Sequence, residues 1–376
     1  MRIRLFVLRF LVSITPMVLL TPCGRAQSLT GLEREERQVM LKSIFDDMRK
    51  DYYDPTFHGL DWEAMFAEAK GKIAKATSKA EANLQIAAFL EPLNDSHTLF
   101  IPPQHAVRED YGWQYQMIGD TCYVTRVRPG SDAEAKGLKP GDTVLTINGF
   151  TPARESLKKI EYVLQVLDPQ TGLRLELRDQ SGKIRRVDVV AKQRETPSIL
   201  GRTDLDNHEL QIERERSVDQ QRWNYEELGD QLMILKLPSF YQTGLTVNEI
   251  IEKARKHSAL VIDLRSNSGG AETTLQALLG GMFEHDVKIA DKQQRSKTTS
   301  LIAKGTHNKA FTGKLIVLVD SDSMSAAEMF ARVVQIEKRG TIIGDVTSGS
   351  VMSARYHPHH WGPKCRKVLR SCDIGS

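Results

Sequence analysis

From Leu29 to about Leu93 the apolar residues recur at helical spacing, as in Val39, Met40, Ile44, Phe45 and Met48, which predicts a helical unit within residues 27–105. Asp61 ahead of Trp62 and Met65 holds the place of a helix cap, and Ser78 with Glu81 has capping-box spacing. Near Tyr111 the pattern changes to short alternating strands, such as Cys122 to Val127 and Leu173 to Arg178, punctuated by Gly and Pro. That is the texture of a small β-barrel over residues 108–193. The stretch 194–230 is polar and charge-rich with few periodic apolar positions, so it is expected to be a linker. After it, apolar strands (232–237, 259–264, 315–320, 341–344) alternate with helical patterns (247–257, 273–283, 326–338). This alternation predicts an α/β domain over 231–376 with a largely buried sheet.

The chain of 376 residues is long enough for two or three such domains. A net charge of +4 is small against 52 basic and 48 acidic side chains. No basic stripe is interleaved with aromatics, so nucleic acid is not an expected partner. At the start, Arg2, Arg4 and Arg9 lead into an apolar run from Phe10 to Leu20, and Gly24-Arg25-Ala26 follows. The run is shorter than the roughly 20 apolar residues of a membrane span, so residues 1–26 read as a signal peptide cut after Ala26. The mature protein is then expected to be periplasmic or secreted. Leu20-Thr21-Pro22-Cys23 loosely resembles a lipoprotein acceptor with proline at a small-residue position, and membrane association follows only if Cys23 is lipidated. Cys122 lies in an apolar strand pattern and reads as buried, while Cys365 and Cys372 are available to pair in an oxidising compartment.

Within the barrel, the segment from Val127-Arg128-Pro129-Gly130 through Ala133 to Gly137-Leu138-Lys139-Pro140-Gly141-Asp142 runs into Val144-Leu145-Thr146-Ile147-Asn148-Gly149. It strongly resembles a PDZ domain. Pro129-Gly130 turns the chain, Ala133 to Lys136 make a short helix, and Gly137 and Gly141 permit tight turns before a core strand. Glu155 to Leu167 becomes the helix flanking a peptide groove. The resemblance implies that an extended polypeptide or a peptide C-terminus is taken there as an added strand.

Two strand-to-helix junctions in the α/β domain carry the chemistry. In Val261-Ile262-Asp263-Leu264-Arg265-Ser266-Asn267-Ser268-Gly269-Gly270 a strand ends in glycines that let N–H groups turn toward a ligand. In Val319-Asp320-Ser321-Asp322-Ser323-Met324-Ser325-Ala326-Ala327-Glu328 a serine stands at the start of a helix, whose N-terminus favours developing negative charge. Ser325 with Glu328 also has capping-box spacing, which is a purely structural use.

Together the two segments resemble the carboxy-terminal processing (tail-specific) serine protease family. The likeness extends to Tyr53-Asp54-Pro55 and Leu93-Asn94-Asp95-Ser96-His97-Thr98. It implies a ClpP/crotonase-like peptidase domain, Ser325 as nucleophile, and an oxyanion hole from Ala326 N–H and the Gly269-Gly270 backbone. In the better-known branch a lysine follows the serine by 25 positions, and that position here is Ser350. A Ser-Lys dyad is therefore not expected. The branch like the tricorn core uses a histidine preceded by a serine, and Ser96-His97 matches it. The resemblance thus makes His97 the general base and Ser96 the group that orients the imidazole.

That branch also uses an acidic residue from further along the chain, and none is identified here. Past Tyr356 the sequence is basic without a strand period, which gives the expectation of a C-terminal end that is truncated or out of frame. His357, His359 and His360 lack a convincingly spaced carboxylate or cysteine, so no metal or other cofactor is expected. The function implied is an exported serine endopeptidase acting on unfolded or C-terminally presented polypeptides, with PDZ-assisted recruitment. The alternatives are a catalytically inactive PDZ-containing peptide-binding or scaffold protein and an apolar-ligand carrier.

Overall fold

A computed structural model describes residues 29–103, 107–195, 223–352 and 374–375. The expectations attached to residues 1–26, to Cys23, Cys365 and Cys372, to His357, His359 and His360, and to the end of the chain fall outside the described residues.

Three helices, α1 (Gly31–Asp51), α2 (Trp62–Lys75) and α3 (Lys79–Leu90), form the first unit. Their starts are set by side chains. The Asp61 carboxylate accepts the Ala64 N–H at 3.0 Å, and the Ser78 hydroxyl accepts the Glu81 N–H at 3.1 Å. Glu81 reaches back to the Thr77 N–H at 2.7 Å instead of to Ser78 itself. The apolar faces close on Leu41, Ile44, Ile73 and Ile86, with the rings of Phe57 and Phe89 against Trp62.

The second unit is a five-stranded antiparallel sheet in spatial order β2 (Trp113–Ile118), β3 (Thr121–Val127), β4 (Thr143–Ile147), β5 (Gly172–Arg178), β6 (Ile184–Val190). Its entry and exit are joined by β1 (Val107–Asp110) pairing with β7 (Lys192–Glu195). The short helix α4 (Asp132–Ala135) follows β3, and the expected helix over 155–167 is present in two parts, α5 (Leu157–Tyr162) and a π turn (Val163–Leu167). Leu157, Ile160 and Leu164 pack on the sheet, whereas Leu167 belongs to the core of the helical unit. The change of winding lets one segment serve both cores.

The third unit is an α/β sheet in order β14 (Thr341–Gly344), β13 (Lys314–Val319), β10 (Ala259–Asp263), β9 (Leu232–Lys236), β8 (Asn224–Leu228). The first four strands are parallel and β8 is antiparallel. Helices α6 (Gly244–Ala254), α7 (Glu272–Gly280) and α8 (Ala326–Ile336) bury Ile251, Leu275, Leu278, Phe330 and Val334 against Met233, Leu235, Ile262 and Val317. The linker expected over 194–230 is corrected at its end, because residues 224–228 are strand. All five side chains of β8 are exposed, so an edge strand left no apolar period to read. The hairpin of β11 (Val287–Gln294) and β12 (Lys297–Ala303), to which β15 (Ile374–Gly375) pairs, was likewise hidden by charged and polar positions. Among the described residues no helix is long and apolar enough to cross a membrane.

Candidate active site

Strands β10 and β13 run side by side, so the loops leaving their carboxyl ends meet. Asp320, at the end of β13, ties the two loops together. Its Oδ1 accepts the Ser266 N–H at 2.9 Å from one loop and the Asp322 N–H at 3.1 Å from its own. Ser323 is fully buried and donates its hydroxyl to the Leu264 carbonyl at 2.8 Å. Met324 N–H reaches the Asn267 carbonyl at 2.8 Å.

These bonds present Ser325 at the N-cap of α8 with φ 53° and ψ −116°. A non-glycine residue held there costs on the order of 1–3 kcal/mol and persists only when its surroundings fix it. Its N–H is held by the Ser350 carbonyl at 3.1 Å and by Glu328 Oε2 at 2.9 Å. Ser325 is half-buried at the start of the helix, where the helix N-terminus favours negative charge.

Gly269 and Gly270 pass directly beneath it. A Cβ on Gly269 (φ 88°) would lie 2.7 Å from Ser325 Cβ and 3.1 Å from the Ala326 nitrogen, and one on Gly270 would lie 2.6 Å from the Phe240 carbonyl. Both positions therefore require glycine. The three expected oxyanion donors are not equivalent, however. Asn267, wholly buried, donates its Nδ2 to the Leu237 carbonyl at 2.7 Å and with Oδ1 accepts the Gly269 N–H at 2.7 Å. Gly269 is thus corrected from donor to spacer, because its N–H is already occupied. Among the described residues the N–H groups of Gly270 and Ala326 have no acceptor, and they remain as the candidate hole.

Ser96 and His97 lie on the loop after α3. Asn94 turns the chain with φ 49°, and Asp95 shapes the next residues by accepting the His97 N–H at 2.9 Å and the Thr98 hydroxyl at 2.7 Å. The far side is anchored by Tyr162, whose hydroxyl donates to the Phe100 carbonyl. Ser96 Oγ lies 2.9 Å from His97 Nδ1. Burial holds the His97 imidazole below its ordinary value of 6.5, while the charges of Asp95 and Glu328 oppose that shift. Glu328 belongs to α8, the helix whose N-cap is Ser325. No hydrogen bond joins His97 to Ser325 among the described residues. Ser350, at the position of the other branch's lysine, hydrogen-bonds to Ser325 through its backbone and to Ser348 Oγ at 3.0 Å through its hydroxyl.

Sequence reasoning missed the parts played by Asp95, Asn267 and Asp320. Each is a short side chain bonding to backbone two or three residues away or across a junction, and only the local Asp95-x-His-Thr spacing was readable in advance.

The segment 231–362 matches peptidase family S41, 33–90 matches the tricorn protease C1 domain, and 104–177 matches the PDZ domain. The chain is 28% identical over 317 residues to the tail-specific protease of Haemophilus influenzae, covering 76% of this chain and 42% of that protein. It is 24% identical to the chloroplastic carboxyl-terminal-processing peptidase 2 of Arabidopsis thaliana, over 84% and 61% of the two chains. The chain therefore spans about two fifths to three fifths of the length of these curated relatives. Among solved structures, mature CPAF superposes with a TM-score of 0.64 at 15% identity, covering 92% of this chain and 89% of that one. The photosystem II D1 C-terminal processing protease gives 0.53 at 18%, over 90% and 88%. These two likenesses establish the shared fold.

Proposed function

Because the chain belongs to the PDZ-containing C-terminal processing proteases, we propose that it is a serine endopeptidase in which Ser325 and His97 hydrolyse peptide bonds. The observation that carries this reading is the strained Ser325, set over two glycines with the Gly270 and Ala326 amides unengaged beside it. Ser325 Oγ attacks the scissile carbonyl carbon as its proton passes to His97 Nε2, with Nδ1–H directed at Ser96 Oγ. The two amides hold the oxyanion of the tetrahedral intermediate. Collapse breaks the C–N bond as His97 gives its proton to the leaving amine. Water then repeats the sequence on the acyl-enzyme and restores Ser325.

The substrates proposed are unfolded or C-terminally presented polypeptides outside the cytoplasm. The basic and apolar start of the chain supports export. Recruitment is assigned to the PDZ domain, whose edge strand β2 has no partner strand on its outer side among the described residues. The test is fluorophosphonate labelling of the purified chain, alongside Ser325→Ala and His97→Ala, with hydrolysis of casein and of a C-terminally tagged peptide. Labelling and cleavage lost in both variants are expected. A folded chain that takes no label would overturn the peptidase reading in favour of a peptide-binding protein.

A further inference from the structure

His97 lies on the loop after α3 and Ser325 at the N-cap of α8, and no hydrogen bond joins them among the described residues. Their alignment then depends on what holds the two loops. One helix touches both.

α5 turns Leu157 and Ile160 into the core of the PDZ sheet. Helical spacing puts Lys158, Lys159 and Tyr162 on the opposite side. Lys158 Nζ pairs at 2.9 Å with Asp322, three residues before Ser325. Lys159 Nζ pairs at 2.9 Å with Glu91, in the 3-10 turn (Glu91–Leu93) that opens the loop of His97. Tyr162 donates its hydroxyl to the carbonyl of Phe100, three residues beyond His97. The loop of the base is thus pinned on both sides of His97 to the helix that also holds the loop of the nucleophile.

These contacts are unequal. Lys159 is exposed and Glu91 partly so, and such a pair contributes little. Phe100 is buried, and the Tyr162 ring packs on the core of the helical unit. A carbonyl there that loses its donor has no water to replace it. Leu167, at the end of the π turn that continues α5, enters the same core, so the segment 157–167 is anchored in both units.

We propose that Tyr162 is a positioning residue of the reaction. Through the Phe100 carbonyl it fixes the His97 loop relative to the Ser325 loop, with α5 as the strut between them. Tyr162 acts through the backbone of residues 97–100 and not on the reacting atoms. The inference rests on the Ser325–His97 reading above.

The experiment measures kcat and KM on a C-terminally tagged peptide for the wild-type chain and Tyr162→Phe, with thermal melts to confirm folding. The variant removes the hydroxyl and keeps the ring. Its kcat should fall by about tenfold to a hundredfold, the scale of a catalytic group misplaced by about 1 Å, while KM stays within about twofold of wild type. An unchanged kcat, or a loss carried by KM, would overturn the proposal. The same substitution is then made in His97→Ala, with the rate of fluorophosphonate labelling as the readout. There it should cost nothing more, since the group it positions is gone. A loss by the same factor in both backgrounds would mark a general weakening of the fold and overturn the proposal as well. Should Tyr162→Phe fail to fold, Lys159→Glu, which sets like charges against each other at Glu91, decides by the same division between kcat and KM, with a smaller fall in kcat expected. If His97→Ala itself labels and hydrolyses as wild type does, the underlying Ser-His reading fails, whatever Tyr162 does.

Discussion

Ser321 Oγ donates to the Met117 carbonyl at 2.7 Å, which fastens the loop leading to Ser325 to the outer edge of the PDZ sheet. Lys158 of α5 adds an ion pair to Asp322 at 2.9 Å and one to Glu161 at 3.2 Å. Asp345 accepts the Gly119 N–H at 2.8 Å and pairs with Arg154. The PDZ domain and the nucleophile loop are thus joined by polar contacts rather than by a shared apolar core, as their separate clusters show.

Lys158→Met is expected to loosen this junction. It leaves Glu161 and Asp322 facing each other without their shared cation, and Glu161 is already pushed up by burial. A loss of about 1–3 kcal/mol is expected, the range for a stranded, partly buried partner. Denaturant titration of the intact chain checks it, and the double variant Lys158→Met with Asp322→Asn should recover part of the loss.

Gly269→Ala should abolish fluorophosphonate labelling. The added methyl meets Ser325 Cβ at 2.7 Å in a backbone at φ 88°, where both the clash and the strain fall on the nucleophile. Gly119→Ala is the control, with φ 57° and nothing within 4 Å of the added atom. It should cost roughly 1 kcal/mol of stability and leave labelling intact. Equal labelling of the two variants would refute the placement of Gly269 under Ser325.

Cys122 should resist thiol reagents while the chain is folded. Burial first, and then the charges of Glu161 and Asp322, push its thiol up to about 12, so almost no thiolate is present at pH 8. Mass-mapped iodoacetamide labelling should find Cys122 unmodified until denaturant is added. Rapid modification of the folded chain would contradict the packing of β3 against α5.

The elements of the α/β domain were readable because buried strands and amphipathic helices impose their periods on the sequence. Ala259–Asp263, Lys314–Val319 and Ala326–Ile336 lie within a residue or two of the apolar runs that announce them. Edge elements have no such constraint, which is why Asn224–Leu228 and the hairpin of 287–303 were not foreseen. At the site, the spacing of Ser325 and Glu328 disclosed a helix cap, and the cap is real in that Ser325 N–H does reach Glu328. The spacing could not show that Thr347, Gly349 and Ser350 converge on the same carboxylate, because those bonds span 19 to 22 residues and are created by the parallel pairing of β13 with β14. Gly269 illustrates the reverse case. The paired glycines announced a backbone turned toward the nucleophile, yet which amide stays unengaged depends on the rotamer of Asn267.

The acid limb of kcat/KM should lie below pH 6.5, because burial disfavours the charged imidazole of His97 more than Asp95 and Glu328 favour it. A general base acts in its neutral form, so the limb reports the pH at which free His97 gains a proton. Asp95→Asn removes one of the two opposing charges and should move the limb further to the acid side. Its Oδ1 still accepts the His97 N–H, which leaves the turn in place. The same shift has a stability sign. A histidine whose folded value lies below its unfolded one contributes fully above the unfolded value, and the contribution is lost as pH falls through the folded one. Wild type should therefore lose stability on acidification through this window, and His97→Gln should lose less. A limb at or above 6.5, or one unmoved in Asp95→Asn, would show that the imidazole is solvated rather than buried.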